Sequence, residues 1–494
     1  LGIAELPASL IDDQSSPLVA VGSAAIDATP EWLKSFAIRT FGSNDKLALI
    51  VGMVAVVLIL AVVMGIASIR RPWVGLPGLT VLGAVGAVAA LTRPTGSVLS
   101  VIPSIVGAVA GSYALSWLLK AAEPTDVATP RAHPIEMPGD VDRRRFLFAS
   151  LAIGGAAVAT GGLGRILIAR RFGVAEAARD ALTIPVPTDP APPPPTGLDT
   201  PGISPFITPN ADFYRVDTAL VVPRIDTDAW RLTIHGMVDR ELELTFQDLL
   251  GRDLIERDIT LACVSNEVGG TYIGNARWVG APLKPLLDEA GVRSGADQIV
   301  SRSVDGFTLG TPTSVAMDGR DAMLAIAMNG ETLPFTHGFP VRMIVPGLYG
   351  YVSATKWLTD IELTTFDAYD AYWIQRGWAE QAPIKTQSRI DTPRPLAKVK
   401  VGTVMVAGVA WAQHRGIERV EVRVDEGEWN DATLAVQDTI DTWRQWRWPW
   451  EARAGDHTIQ VRATDADGVT QPQQRVTPFP DGATGWHTVA VVAG

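Results

Sequence analysis

One cysteine, Cys263, stands alone in a chain of 494 residues. A lone thiol excludes a disulfide within the chain and an ordinary zinc site, which takes three or four protein ligands. Histidine is scarce as well. The six are His133, His235, His337, His414, His457 and His487, and none has the short spacing to a partner that sets two ligands on one face. A metal site built in the conventional way therefore fails on ligand count. The third shortage is positive charge. The formal net charge is −11, carried mostly by the part after the first third, so no basic groove for DNA or RNA is expected.

In the first third, charge of either sign is missing over long runs. Residues 47–69 carry none, and at about 1.5 Å per residue they cover a hydrocarbon core of roughly 30 Å. Residues 72–92 and 94–119 are also uncharged and, separated by Arg93 in LTRPTGS, read as a helical hairpin. A further span, 146–164, follows Arg143, Arg144 and Arg145. The chain opens on LGIAELPASL without an initiator Met, which predicts a start inside an earlier apolar helix and about five spans in all. Arg70, Arg71, Lys120, Arg131 and Arg143 to Arg145 fall on one side if the spans alternate. The positive-inside rule makes that side cytoplasmic and places everything after about residue 170 outside. DRRRFLFASLAIGGAAVA also resembles a twin-arginine export signal; the plainer reading is basic residues flanking an ordinary helix.

Proline crowds IPVPTDPAPPPPTGLDTPGISP and predicts a semi-rigid polyproline linker at 171–205, after membrane helices at 1–170. From 206 to 391 the pattern is mixed. DAWRLTIHGMVDRELELTFQDLL reads as two strands and a short helix, and ARWVGAPLKPLLDEAGV as a turn followed by apolar residues at helical spacing, which together suggest an α+β domain. Residues 392–494 show short alternating runs such as IERVEVRV and TIQVRATD, expected of an all-β immunoglobulin-like sandwich. Within it TWRQWRWPW puts Trp446, Trp448 and Trp450 on one strand face, more consistent with a sandwich core or an interdomain surface than with a binding cage.

Four readings then compete for Cys263. It could be an inert buried thiol, or a nucleophile with His235 or His337 as base, although ACVSN carries no cysteine-protease or transferase signature. A conventional metal site fails as above. The fourth reading is a metal that arrives already chelated, to which the protein adds one soft thiolate. Such a cofactor needs cations and glycine loops, and HGFPVRMIVPGLYGYVSATKW supplies His337, Arg342 and Lys356 around a loop with Pro346, Gly347 and Gly350.

TPNADFY, LACVSN, GNARWVGAPLKPLL and AMNGETLPFTHGFPVRMIVPGLYGYVSATKWL, in this order, resemble the successive motifs of the sulfite oxidase family of molybdenum enzymes. RGIERVEVRVDEGEW and GDHTIQVRATDADGVTQP are similar to that family's C-terminal dimerisation domain. The resemblance spans roughly residues 205 to 494. It implies a molybdopterin-binding catalytic domain at 206–391, with molybdenum held by two dithiolene sulfurs and by Cys263. His337, Arg342, Thr355 and Lys356 match family contacts to pterin and phosphate, Asp305 matches a further pterin contact, and Asn210, Tyr214 and Arg215 lie in the first pterin-binding stretch.

Departures from the family pattern bear on the substrate. The family reads an oxyanion with arginines, a use suited to the planar guanidinium. Where it has VRNH this chain has RVDT, and where it has CAGNRR this chain has CVSNEV, so Glu267 and Val268 replace two arginines. TPFPDGATGWH stands where a third is expected, and Trp378 in RGWAE replaces the substrate-pocket tyrosine. An ionised Glu267 near the metal would repel sulfite. The expectation is two-electron oxygen-atom transfer on a small or peptide-borne S- or N-oxide, with Cys263, Glu267 and Trp378 at the reacting centre. Sulfite oxidation, or a metal-free binding or assembly subunit that kept the fold, is the alternative.

No histidine falls in a predicted span, so a bis-histidine haem inside those spans is excluded and no haem is expected in the chain. The resemblance to the family's exported bacterial branch implies a separate membrane or extracytoplasmic redox partner. A homodimer through the C-terminal domain is the remaining expected partnership.

Overall fold

The computed structural model describes residues 1–41, 45–71, 73–93, 96–122 and 143–494. Arg131, His133 and the helix-end residues Pro72 and Pro94 lie outside them. The chain divides into two compact units, Leu1–Ala177 with Thr218–Val222, and Ala178–Asp217 with Pro223–Gly494.

In the first unit three helices are long and apolar enough to cross a membrane: Lys46–Arg70, Val98–Ala122 and Arg144–Asp180. The run at 72–92 becomes the shorter helix Gly75–Leu91. Its side toward the helix Ile102–Ala122 is made of small residues, and a Cβ on Gly83 would sit 2.6 Å from the Cβ of Ala108. Small side chains let two helix backbones approach where apolar burial alone gives no preference. The expected truncated first span is instead two short helices, Gly2–Ile11 and Pro17–Ala28. Asp12 and Asp13 lie in the break, and Pro17 starts the second helix where its missing N–H costs nothing.

The helix at 143–180 runs past the predicted span and past the predicted start of the linker. Residues 165–180 are dominated by Arg, Ala, Leu, Ile and Glu, mostly good helix formers, and no proline occurs before Pro185. The proline-rich segment that follows is fastened rather than free. Thr188 and Asp189 donate backbone N–H groups to Leu254 O at 2.9 and 3.3 Å, Leu198 N–H bonds Gln445 Oε1 at 2.9 Å, and Ser204 N–H bonds Asp391 at 2.9 Å.

The second unit contains two sheets with short helices, followed by two more sheets. The first sheet is ordered Leu242–Thr245, Arg231–Gly236, Leu358–Thr364, Gln298–Ser303, Thr308–Pro312. The second is ordered Ile255–Ala262, Ile273–Pro282, Met323–Met328, Glu331–Thr332, with Arg342–Ile344 also paired to Met323–Met328. Local chemistry sets the helices between them. Thr245 accepts from Asp248 N–H and Asp248 answers to Thr245 N–H, a reciprocal cap on Phe246–Leu250. Leu283, Leu286, Leu287 and Ala290 line the buried face of Leu283–Ala290, which stops at Gly291 with φ 71°.

The last two sheets are Gln387–Thr392, Gly402–Trp411, Arg444–Ala452, Thr433–Leu434, and Lys398–Val399, His487–Ala493, Gly455–Asp465, Ile417–Val424, Asn430–Asp431. Val406, Val420, Ile459, Val489, Trp446 and Trp450 fill the space between them, with Trp448 packed partly against it. The tryptophan face is thus core. Trp411 and Trp443, though on this side of the chain, belong to the other core with Trp230 and Leu232, so the catalytic and C-terminal layers are packed as one body.

Candidate functional site

Cys263 sits where the strand Ile255–Ala262 ends. Its N–H bonds Tyr272 O at 2.9 Å, and the loop between closes on Asn266, whose N–H bonds Cys263 O at 3.0 Å and whose side-chain oxygen accepts Tyr272 N–H at 2.9 Å. The C-terminal domain holds the same loop from outside. Arg389 Nη1 donates to Gly270 O at 2.9 Å, and Gly269, at φ +80°, lies so close to the His487 ring that a Cβ there would stand 2.3 Å from it. Burial, Arg389 and Arg475 hold His487 down at about 4, so it is neutral near pH 7, and its Nδ1 accepts Ile390 N–H at 2.9 Å.

The thiol lies 3.0 Å from Ser265 Oγ. Burial pushes it above the usual thiol range; the Ser265 bonds and the positive charge of Lys356 pull the other way. Left to itself this is a protonated thiol, not an activated nucleophile. His235 bonds Asp360 at 2.8 Å on the first sheet, and His337 has its ring nitrogen Nε2 3.1 Å from Asn210 O. Neither is hydrogen-bonded to Cys263, which leaves the nucleophile reading without its base.

Beside the thiol a cluster of buried charge converges. Lys356 Nζ donates to Asp217 at 3.0 Å and to Thr336 O at 3.1 Å, and Arg215 pairs with the same Asp217 at 2.8 Å. Burial, with Arg342 and Arg215 nearby, lowers Lys356 from 10.5 to about 8 despite Asp217. Burial lowers Arg342 to about 10, and burial with Arg342 and Lys356 lowers His337 to about 3. Asp305 is shifted upward by burial and by Asp217. Tyr214, stacked on Phe213 at 5.3 Å, is raised by burial and by Cys263. Gly338, at φ +116°, lets the loop pass close to Lys356, since a Cβ there would meet Lys356 Cα at 3.0 Å.

Cys263, Tyr214, Arg215, Asp305, His337, Arg342 and Lys356 thus lie around one buried cluster of charge. Thr355 and Asn210 also make bonds within the protein. Thr355 Oγ1 is 2.5 Å from Ser301 Oγ and ties its loop to the first sheet. The Asn210 side chain bonds Asn329 Nδ2 at 2.7 Å and also meets Glu331, holding the Met328–Glu331 hairpin, while its carbonyl serves His337. Glu267 is half-buried in the turn after the thiol, and Trp378 is buried in an aromatic cluster with Tyr351, Trp373 and Phe479. Asp217, Ser265 and Tyr349 were missed. Asp217 stood in plain view in RVDT, but its pairing with Lys356 crosses 139 positions of sequence.

Residues 219–373 match the family model described as the oxidoreductase molybdopterin binding domain, and residues 379–493 the Mo-co oxidoreductase dimerisation domain. The sulfite oxidase of Gallus gallus is 30% identical over 338 residues, covering 57% of this chain and 72% of that protein. This chain belongs to the sulfite oxidase family of molybdopterin oxidoreductases. The mitochondrial sulfite oxidase of Rattus norvegicus is 31% identical over 293 residues, 50% of this chain and 53% of that one, so the chain spans about half the length of that relative. The sulfane dehydrogenase SoxCD of Paracoccus pantotrophus superposes with a TM-score of 0.51 at 23% identity, over 60% of this chain and 87% of that one, and shares the fold.

The residues present fit the molybdenum-molybdopterin cofactor of the family. His337 Nδ1 and Arg342 Nε are buried and meet no partner among the described residues, and a buried donor or acceptor left so costs roughly 1–3 kcal/mol. Burial lowers both Arg342 and Lys356, a cost that an anionic phosphate beside them would offset. Among the described residues no three His, Cys, Asp or Glu side chains form a metal cluster, which suits a metal brought in by its own chelate with one thiolate added. A bound cation at the thiol would supply the charge that its burial calls for.

Proposed function

We propose that this oxidoreductase transfers an oxygen atom to or from an uncharged sulfur or nitrogen centre, with S-oxides and N-oxides as the substrate class. The observation that carries this reading is where the cations are spent. Arg342, Lys356 and Arg215 lie in the cofactor cradle, and the turn after the thiol carries Glu267 and Val268. Arg389, the guanidinium that touches the cysteine loop, is already bonded to Gly270 O, Ser204 and Asp391. An oxyanion in this neighbourhood finds a carboxylate instead of a fork of N–H donors.

Bound molybdenum supplies two-electron oxygen-atom chemistry. The chain's own part is to hold and orient it: Cys263 as the thiolate ligand, with Ser265 turned to the sulfur, Arg342 and Lys356 toward phosphate, and His337 and Asp305 toward the pterin. In the reductive direction an S-oxide takes two electrons and two protons and leaves as sulfide and water, with the electrons drawn singly from an external redox protein. Sulfite oxidation, which runs the electrons outward, is the second reading, and identity of about 30% to proteins named sulfite oxidase favours it.

The three long apolar helices support a membrane anchor, and Arg70, Arg71, Lys120 and Arg144 to Arg145 support a catalytic domain on the extracytoplasmic side. The match to a dimerisation model supports pairing of two copies through the immunoglobulin-like C-terminal layers.

Metal and pterin analysis of the purified protein, followed by S-oxides, N-oxides and sulfite offered with artificial electron carriers, tests the reading. Reduction of the oxides with no sulfite turnover is the expected result. Sulfite-dependent reduction of an electron acceptor, without oxide reduction, overturns it. Cys263→Ser should abolish turnover, and wild-type rates in that variant would sink the cofactor assignment.

A further inference from the structure

Cys263, Val264, Ser265 and Asn266 form a tight turn, closed by Asn266 N–H on Cys263 O at 3.0 Å. Its two neighbours hold Ser265 in place. Val264 is buried in the hydrophobic core, and Asn266 is buried with its side-chain oxygen on Tyr272 N–H at 2.9 Å. Ser265 stands half-buried between them. A serine in a turn ordinarily bonds the backbone of its own neighbours. Here the hydroxyl meets the Cys263 sulfur at 3.0 Å, its one side-chain hydrogen bond among the described residues. The Ser265 backbone N–H faces the same sulfur. Of these two groups only the hydroxyl depends on which residue occupies the position.

Where the CAGNRR pattern has glycine in its third place, with no side-chain donor, this chain has Ser265. A free thiol can give its own proton to a hydroxyl oxygen. A sulfur bound to a metal has none to give, so there the hydroxyl is the donor. Donation to a thiolate is charge-assisted. It draws from the sulfur electron density that would otherwise go to the metal, and so favours the metal state that leaves more negative charge on the ligand, the reduced one.

We infer that Ser265 is a positioning residue for the metal's thiolate: its O–H, held on the Cys263 sulfur by the turn 263–266, sets the molybdenum couples higher than the same loop with glycine would. This rests on Cys263 being the thiolate ligand and on neither direction of oxygen transfer. A site set higher is filled by a weaker electron donor. It passes its electron pair to an oxide with correspondingly less driving force, and for outward electron flow the gain and the loss change places.

Potentiometric titration of the molybdenum-loaded protein, followed by the Mo(V) electron paramagnetic resonance signal, tests this without any substrate. The backbone at Ser265 is outside the left-handed region, so alanine and glycine both fit the turn. Ser265→Ala and Ser265→Gly should each lower both one-electron midpoints by about tenfold in equilibrium constant, which is about 59 mV for one electron. Ser265→Thr keeps the hydroxyl and should return them toward the wild-type values. A midpoint does not depend on the fraction of protein loaded, so poorer cofactor uptake in a variant does not blur the comparison. Wild-type midpoints in the alanine and glycine variants overturn the role of Ser265 and leave the Cys263 assignment standing. A drop that threonine fails to reverse belongs to the packing of the turn and overturns it too. Molybdenum retained with unchanged midpoints in Cys263→Ser removes the thiolate assignment and this inference together.

Discussion

Lys356 should make the cofactor-free protein more stable as the solution becomes alkaline. Its ammonium is buried beside Arg342 and Arg215, and although Asp217 accepts from it at 3.0 Å its pKa falls from 10.5 to about 8. Between those values the unfolded chain binds a proton that the folded chain does not, so stability rises with pH across that window. The penalty is fully present below about pH 8, where both states are protonated, and is gone above about 10.5. A gap of about 2.5 pH units at about 1.4 kcal/mol each is worth roughly 3 kcal/mol. Denaturant midpoints of protein produced without the cofactor, taken at intervals from pH 7.5 to 10, should therefore climb. Lys356→Met should remove that climb and start from a higher midpoint. Loading an anionic cofactor should flatten the wild-type curve, because a phosphate beside the ammonium keeps it protonated. A wild-type profile that parallels Lys356→Met across the whole range would refute the reasoning.

Two further outcomes follow from the same geometry. His337, held at about 3 by burial, Arg342 and Lys356, is neutral in the fold and protonated when unfolded between about 3 and 6.5. Stability should fall as the pH drops through that window, and His337→Gln should lose part of the slope in acid unfolding followed by circular dichroism. Gly269→Ala places a Cβ 2.3 Å from the His487 ring at a residue with φ +80°. It should cost on the order of 1–3 kcal/mol in urea unfolding, and a wild-type midpoint would show that the loop yields freely.

The legible part of this protein was the part whose chemistry is carried by short segments. LACVSN, HGFPVR and ATKW contain Cys263, His337, Arg342 and Lys356 at positions that do not depend on the rest of the fold to be recognised, and the structure gathers them. The helices Phe246–Leu250 and Leu283–Ala290 were likewise readable from their own short segments. What escaped was whatever needs a partner from elsewhere. Asp217 reads in RVDT only as a departure from a motif, and the fold alone brings its carboxylate to Lys356; the Thr355 hydroxyl likewise meets Ser301, 54 positions away. Proline content predicted an extended linker at 171–205, but the helix runs on to Asp180 and composition says nothing of attachment, which Gln445 and Asp391 provide at residues 198 and 204. The apolar run at 72–92 read as a full crossing, and the helix Gly75–Leu91 that it forms has 17 residues, about 25 Å at the α-helical rise, at the short end of what spans a roughly 30 Å core.

Arg389 and His487, both from strands of the C-terminal layers, grip the turn that carries the only thiol. The portion of the gene that encodes residues 379–493 therefore sets part of the shape of that turn. A lesion in that portion, read as a defect of assembly or of folding, can be a defect of catalysis in disguise. An exchange of C-terminal modules between relatives would carry over a piece of substrate preference along with the interface.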